Sequence, residues 1–386
     1  MSPADQIETL RRRCERIVSE DELIKKLGYA AKSGKQLRVK LGMDPTAPDV
    51  TLGHCVPLKV IRQFQDWGHK AVLIIGDATA AVGDPTGVNT TRPLLSPEQI
   101  AANAETYIAQ VGKVLRTDDD ALEVRRNSEW LGQMDLTQLI KLAARKTVAQ
   151  VLERDDFKQR YESNTPIGLH EFIYPLLQGW DSVAIDADIE FGGNDQLFNN
   201  LVGRDFQQQE GKAPQVVIVT PLLVGTDGAL KMSKSKGNYI AVTDPPGGDG
   251  GMFGKVMSLP DELMAQYFTL LTESEQHDGE SPRDAKVRLA KLIVTEFHDA
   301  AAADDAEKQF MTATHGGIPD DIPTASATGN ILDVLVKVGF CRSKGEARRK
   351  INEGGVRVDG EKVADIDATV SGGVLQLGKK KFVRLG

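Results

Sequence analysis

The sequence predicts an α/β fold built around an open parallel sheet, followed by further helices and a small α+β module at the end of the chain. Three observations carry this. Short apolar or alternating runs recur between helical stretches, at residues 36–41, 71–75, 122–125, 189–191 and 216–219, and strands alternating with helices argue for right-handed crossovers. Polar segments follow most of these runs, at Asp44-Pro45-Thr46, Gly76-Asp77-Ala78-Thr79, Asn127 and Gly193-Asn194-Asp195-Gln196. From Ile331 onward 12 Lys/Arg stand against 7 Asp/Glu, in a chain whose net charge is -8. A basic module on an acidic body points to a polyanionic partner at that end; a solvated basic surface is the plainer alternative.

Gln36-Leu37-Arg38-Val39-Lys40-Leu41 alternates as a half-buried strand does. A helix is expected from near Gly53-His54, with Pro57 in its first turn and Val60, Ile61 and Phe64 at helical spacing, ending at Gly68. Ala71-Val72-Leu73-Ile74-Ile75 is continuously apolar, the pattern of a strand covered on both faces. Leu122-Glu123-Val124-Arg125 precedes Asn127-Ser128, a candidate helix cap. Residues from about 131 to 182 read as a helical insertion, and 189–191 and 216–219 as two more strands. Such a sheet is Rossmann-like, and its ligands bind at the carboxyl ends of its strands.

Beyond residue 243 the chain is rich in Gly and Pro, then helical, with residues 284–297 showing the clearest pattern and 300–305 rich in alanine. Residues 315–330 read as a linker. Residues 331–340 form an apolar helix, Ser343 caps a basic one, and a strand and turn follow at 354–360. The expected domains are therefore 1–230 (insertion at about 131–182), 231–320 and 331–386.

At 386 residues, 40% hydrophobic and 26% charged, the composition is that of an ordinary globular chain of two or three domains. No apolar run approaches a membrane span of roughly 18 residues, and the first residues show no signal-peptide pattern. Cys14, Cys55 and Cys341 are scattered, with no metal-like spacing, so the expectation is a cytoplasmic protein without a protein-held metal.

The pentapeptide Lys231-Met232-Ser233-Lys234-Ser235 is the sharpest motif. Two lysines among small hydroxyl residues make a cationic loop able to close over nucleotide phosphates. A chance match to one fixed pentapeptide in a chain of this length is on the order of one in ten thousand. Upstream, Thr51-Leu52-Gly53-His54 sits where a strand feeds a helix. There Gly53 admits a close backbone approach, and His54 at the helix start can donate to a phosphate. Asp195 reads as a ribose acceptor or a helix cap, and Asp84 as a turn former or a carboxylate for an ammonium. Tyr174, Gln178 and Asp181 fall on one helix face, either as a substrate pocket or as one core residue with two surface ones. No nucleophile triad emerges, so the implied reaction needs positioning and charge stabilisation, as in attack of a carboxylate on an α-phosphate.

Together these motifs resemble the class I aminoacyl-tRNA synthetases, and within them the bacterial tyrosyl-tRNA synthetases, over essentially the whole chain. Asp44-Pro45-Thr46-Ala47, Gly83-Asp84-Pro85, the Tyr174/Gln178/Asp181 helix and Gly193-Asn194-Asp195-Gln196 carry the narrower resemblance. It implies that Asp181 binds the phenol of tyrosine, that Asp84, Tyr174 and Gln178 hold its ammonium beside Thr79, and that Gln196 approaches its carboxylate. Asp44, Gly53 and Gly193 would lie by ATP and Asp195 by its ribose, with Thr46, His54, Lys231 and Lys234 on the phosphates; Thr51 counts among the catalytic residues, its hydroxyl able to donate to a phosphate. The end module is similar to an S4-like RNA-binding domain, with Lys344, Arg348, Arg349 and Lys350 facing tRNA(Tyr). Magnesium on ATP and a homodimer are implied too. Two positions depart from the family pattern: Thr51 replaces the first motif histidine, and Lys40 stands where many members have a tyrosine at the substrate hydroxyl. Lys40 either joins the tyrosine pocket or pairs with one of its carboxylates. The alternatives are a tryptophan–tRNA ligase, a non-catalytic RNA-binding paralogue and a small-molecule nucleotidylyltransferase.

Overall fold

A computed structural model describes residues 1–85, 96–314, 322–378 and 381–386. Part of the expected linker, residues 315–321, lies outside this set. The chain divides into two compact units, residues 1–243 with 259–278, and residues 244–258 with 279–386.

The first unit is built on six strands: β1 (Arg16–Val18), β2 (Arg38–Met43), β3 (Lys70–Ile75), β4 (Leu122–Arg126), β5 (Ile189–Gly193) and β6 (Val216–Thr220). Their order is β1-β6-β5-β2-β3-β4. All neighbours run parallel except the short edge strand β1, which is antiparallel to β6. The order reverses at the β2–β5 pair, because the chain moves from β2 outward to β4 and then returns to the other side of β2. Ligands of open parallel sheets bind in the crevice at such a reversal.

The apolar runs explain the strands. β3 and β6 have both faces covered, and nearly every residue in them is buried. The helix Leu52–Asp66 packs Leu52, Cys55, Val56, Leu58, Val60, Ile61 and Phe64 into the core, and Gly68, at φ +86°, turns the chain back into β3. This helix starts at Leu52, so Pro57 lies inside it rather than in its first turn. Pro57 has no N–H to return to the carbonyl of Gly53.

Between β4 and β5 the insertion is helical, with helices at Leu136–Ala143, Asp155–Glu162 and Leu169–Ala184 among others. The last of these, the pocket helix, packs with Leu197–Gln209 through Leu176, Leu177, Val183, Val202 and Phe206. Several apolar side chains of the insertion remain in solvent: Leu136 (72% exposed), Ile140 (59%), Val148 (63%) and Leu169 (81%).

The second unit holds the helices Met252–Met257, Pro282–Phe297 and Ala300–Thr314. It ends in a module of two helices, Ile331–Lys337 and Lys344–Asn352, with strands β7 (Thr324–Ala325), β8 (Gly329–Asn330), β9 (Val356–Val358), β10 (Glu361–Lys362), β11 (Thr369–Val370), β12 (Gly373–Leu377) and β13 (Lys381–Leu385). Five strands form one sheet, β10-β9-β12-β13-β7, and β8 pairs with β11. Ile331, Leu335, Ala347, Ile351, Val356, Leu375 and Val383 form its core. Two expected boundaries shift: the lysine pentapeptide belongs to the first unit, and the end module's sheet already begins at Thr324, ahead of residue 331.

Candidate active site

A cavity of about 680 Å³ opens at the carboxyl ends of β2 and β5. It is lined by Asp44, Thr46, Thr51, Gly53, His54, Thr79, Asp84, Tyr174, Gln178, Asp181, Gly193, Asp195, Gln196, Lys231 and Lys234. Every residue expected in the amino-acid and nucleotide sites thus meets in one space, with the exception of Lys40.

At the deep end Asp181 is buried. Trp130 Nε1 donates to its Oδ1 at 2.8 Å and Asn127 Nδ2 to its Oδ2 at 3.3 Å. Burial pushes its carboxyl up to about 6 against the nearby Lys40 charge and both donors. Asn127 stands at the expected N-cap position of the helix Ser128–Leu131, but its side chain turns inward, accepting from the Ala78 N–H and donating to Thr79 Oγ1 and Asp181.

Asp44 follows β2 and accepts from Thr79 Oγ1 at 2.8 Å and from the Tyr174 hydroxyl at 2.9 Å. It therefore stands with the expected amino-acid residues as well as beside the nucleotide end. Burial pushes Asp44 up to about 7, with the Asp84 and Asp181 charges adding to the shift. A Cβ on Gly76 would lie 1.9 Å from Asp44 Oδ1 and 2.4 Å from Thr79 Oγ1, so only glycine lets this bond form. A Cβ on Gly53 would meet its neighbours at 3.5 Å and beyond, an ordinary contact, so the protein's own packing does not demand glycine there.

Asp84 accepts from Gln196 Nε2 at 2.9 Å and lies 3.7 Å from Arg154. Gln178 Oε1 accepts from Asn199 Nδ2 at 2.9 Å, and its Nε2 donates to Asn200 Oδ1 at 3.1 Å. Arg154, Asn199, Asn200 and Trp130 escape a reading of the sequence. Arg154, 4% exposed, sits in the run Glu153-Arg154-Asp155-Asp156, which looks like a solvated charged face.

At the phosphate end the backbone N–H of Thr51 donates to His54 Nδ1 at 3.1 Å, and the Thr51 hydroxyl lies 2.8 Å from the same atom. An N–H only donates, so Nδ1 is an acceptor and the neutral ring carries its proton on Nε2. Burial, followed by the Lys234 and Lys231 charges, lowers His54 to about 4 and keeps it neutral. Thr51 is 1% exposed, and its hydroxyl is engaged by His54.

Lys231 reaches Asp195 Oδ2 at 2.6 Å. Lys234 donates to the carbonyls of Asp49 (2.6 Å) and Ala47 (3.3 Å) and to the Tyr107 hydroxyl (2.8 Å). Burial lowers Lys234 to about 8.

Lys40 does not line the cavity. It lies below, 2.7 Å from Glu190 Oε1, both side chains sealed from solvent. The expectation that it contacts tyrosine or pairs with a pocket carboxylate is corrected: its partner Glu190, on β5, is outside the cavity lining. Alternation along β2 puts Lys40 on the Asp44 face, but the parallel pairing with β5 sets Glu190 opposite it.

Comparison with known proteins bears on this arrangement. The family model "tRNA synthetases class I (W and Y)" matches residues 32–314, and "Tyrosine--tRNA ligase SYY-like C-terminal domain" matches residues 314–385. The tyrosine–tRNA ligase of Idiomarina loihiensis is 49% identical over 99% of this chain and 98% of its own. That of Cupriavidus pinatubonensis is 47% identical over 98% and 94%.

This chain belongs to the tyrosine–tRNA ligase family.

Among solved structures, a C-terminally truncated mitochondrial tyrosyl-tRNA synthetase of Aspergillus nidulans superposes with a TM-score of 0.64 at 23% identity, over 81% of this chain and 94% of its own. The Archaeoglobus fulgidus tyrosyl-tRNA synthetase gives 0.63 at 22% identity, over 78% and 99%. At that identity the likeness is one of fold.

In the end module Lys344, Arg348 and Arg349 are exposed and Lys350 is half-buried. Lys344 pairs with Asp333 at 2.5 Å, and Lys350 with Glu353 at 2.9 Å. Arg349 borders a second concavity together with Arg342 and Lys381, two cations the sequence does not single out. Among the described residues no group of His, Cys, Asp or Glu is arranged to hold a metal ion, and no helix is long and apolar enough to cross a membrane.

Proposed function

We propose that this chain activates L-tyrosine with ATP and transfers it to the 3′-terminal adenosine of tRNA(Tyr). A tyrosine carboxylate oxygen attacks the α-phosphorus, the bond to the β-phosphate breaks, and pyrophosphate leaves with the electron pair. A ribose hydroxyl of the tRNA terminus then attacks the activated carbonyl and AMP departs.

The observation that carries this reading is the two-ended cavity. Asp181 sits at the deep end, and His54, Lys231 and Lys234 at the other. In the proposed complex Asp181 accepts from the phenol hydroxyl. Phenylalanine would leave a remaining lone pair of that buried carboxylate unfilled, a penalty larger than a lost packing contact, and this family is the standard example of it. Asp44, Asp84, Tyr174 and Gln178, beside Thr79, receive the ammonium, and Gln196 lies towards the carboxylate.

Gly53 and Gly193 border the nucleotide, and Asp195 accepts from the ribose once Lys231 has left it. His54 donates Nε2–H to the phosphates. Thr51 acts on His54 as a positioning residue, with Thr46 close by. Lys231 and Lys234 carry the positive charge onto the leaving pyrophosphate. Magnesium enters with ATP, as part of the substrate. The exposed cations Lys344, Arg348 and Arg349, with Lys350, make the end module an S4-like surface for the tRNA backbone. The solvent-facing Leu136, Ile140, Val148 and Leu169 of the insertion favour a homodimer through helical faces. The proposed site of action is the cytoplasm.

The test is ATP–pyrophosphate exchange driven by single amino acids. Tyrosine should support exchange and tryptophan should not. Asp181→Ala should lower the tyrosine-dependent rate at least a hundredfold, since it removes a charged hydrogen-bond partner; a loss of only a few fold would refute the pocket assignment.

A further inference from the structure

Beneath the cavity, β2 and β5 carry a charged pair that the proposed chemistry does not touch. Lys40 and Glu190 face each other in the parallel ladder and are 0% and 1% exposed. Lys40 Nζ lies 2.7 Å from Glu190 Oε1, donates to Ser182 Oγ at 2.7 Å, and donates to the Gln178 carbonyl at 3.1 Å. Ser182 Oγ passes a hydrogen bond on to Glu190 Oε2 at 3.1 Å, and Gln215 Nε2 donates to the same oxygen. The three ammonium hydrogens therefore have three acceptors.

Burying two ions costs about as much as their attraction returns, so such a pair is a poor source of stability. Its position suggests another use. Gln178 and Ser182 flank Asp181 on the pocket helix, so the ammonium fixes the turn that presents this carboxylate. The hydrogen bonds to Asp181 come from the neutral donors Trp130 and Asn127.

We infer that the Lys40–Glu190 pair, which contacts neither substrate, sets the choice of tyrosine over phenylalanine by positioning Asp181 and balancing its charge. The inference rests on the reading that Asp181 takes the phenol hydroxyl. Lys40 is the strongest influence holding Asp181 ionised against burial, ahead of both donors, and Glu190 works weakly the other way. Asp44 and Tyr174 also feel the Asp181 charge. Without the pair, Asp181 keeps its proton to higher pH and stops being a pure acceptor.

The double variant Lys40→Met/Glu190→Leu removes the pair without leaving a lone buried ion. Tyrosine- and phenylalanine-dependent exchange are measured between pH 5.5 and 8.5, and the two kcat/KM values are divided. Groups acting on the parts common to both amino acids, Asp44 and Asp84 among them, cancel in that ratio. In the variant, a midpoint raised by about one unit should lower the ratio about threefold at pH 6.5 and about eightfold at pH 5.5, with recovery by pH 8.5, while the KM for ATP stays within about twofold. A folded variant with an unchanged ratio overturns the inference. The wild type gives a second arm that needs no variant: its ratio should climb with a midpoint near 6, and a flat profile also overturns it. If the wild type shows no tyrosine-dependent exchange at all, the underlying reading of the site fails instead.

Discussion

Asp44 shows what a working site costs a fold. Its carboxyl is buried against Thr79 and Tyr174 and is pushed from the usual 3.8 up to about 7. The folded chain therefore holds this proton through a pH window in which the unfolded chain has already released it. The contribution to stability is complete below about pH 4 and is lost as the pH rises through 7. Asp44→Asn imitates the protonated form at every pH. The variant should melt about 4 °C or more above the wild type at pH 8, with the gap closing as the pH falls toward 4, as calorimetry across that range would show. Most of the side chains around Asp44 are legible in the sequence because they fall in recognisable clusters: Tyr174, Gln178 and Asp181 by helical spacing, Asp195 and Gln196 by a glycine beside a strand end. Arg154 and Trp130 are not, since nothing local says that this cation reaches Asp84 or that this indole donates to Asp181. Thr51 and Lys40 were visible only as departures, and their partners, His54 Nδ1 and Glu190, depend on three-dimensional pairing.

The lysine pentapeptide is short, and three acceptors hold its second lysine: two carbonyls and the Tyr107 hydroxyl. Tyr107 also places its ring 5.1 Å from the Lys234 ammonium. Tyr107→Phe keeps the ring and deletes one hydrogen bond, worth about 1 kcal/mol net, so the released loop should be roughly fivefold more populated. Limited trypsin digestion without ATP should then cut after Lys234 about five times faster than in the wild type; an unchanged rate would mean that Tyr107 does not anchor the loop. The strands were legible because buried parallel strands leave continuous apolar runs, and β3 and β6 are the plainest cases. The start of the helix Leu52–Asp66 was less so. Its proline suggests a first turn, yet the Thr51–His54 bonding begins the helix earlier.

Two compact units make up the molecule, and the end module has a core of its own. Removing residues 322–386 should therefore leave tyrosine-dependent exchange within about threefold of wild type, while kcat/KM for tRNA charging falls at least tenfold, at a salt-dependent rate. Equal loss of both steps would argue against an RNA-binding end module. Charge marks the end module in the sequence, whereas its first strand, β7, is two residues long and carries no apolar signal. The main sheet's two margins are a three-residue strand, β1, and a strand ending in Arg125 and Arg126, β4. Neither offers a long, uncharged row of backbone groups for a stranger's strand to zip onto. Self-association of this unit by strand addition is thereby discouraged at both borders, and misassembly into cross-β aggregates has to begin from chains that have already lost the sheet.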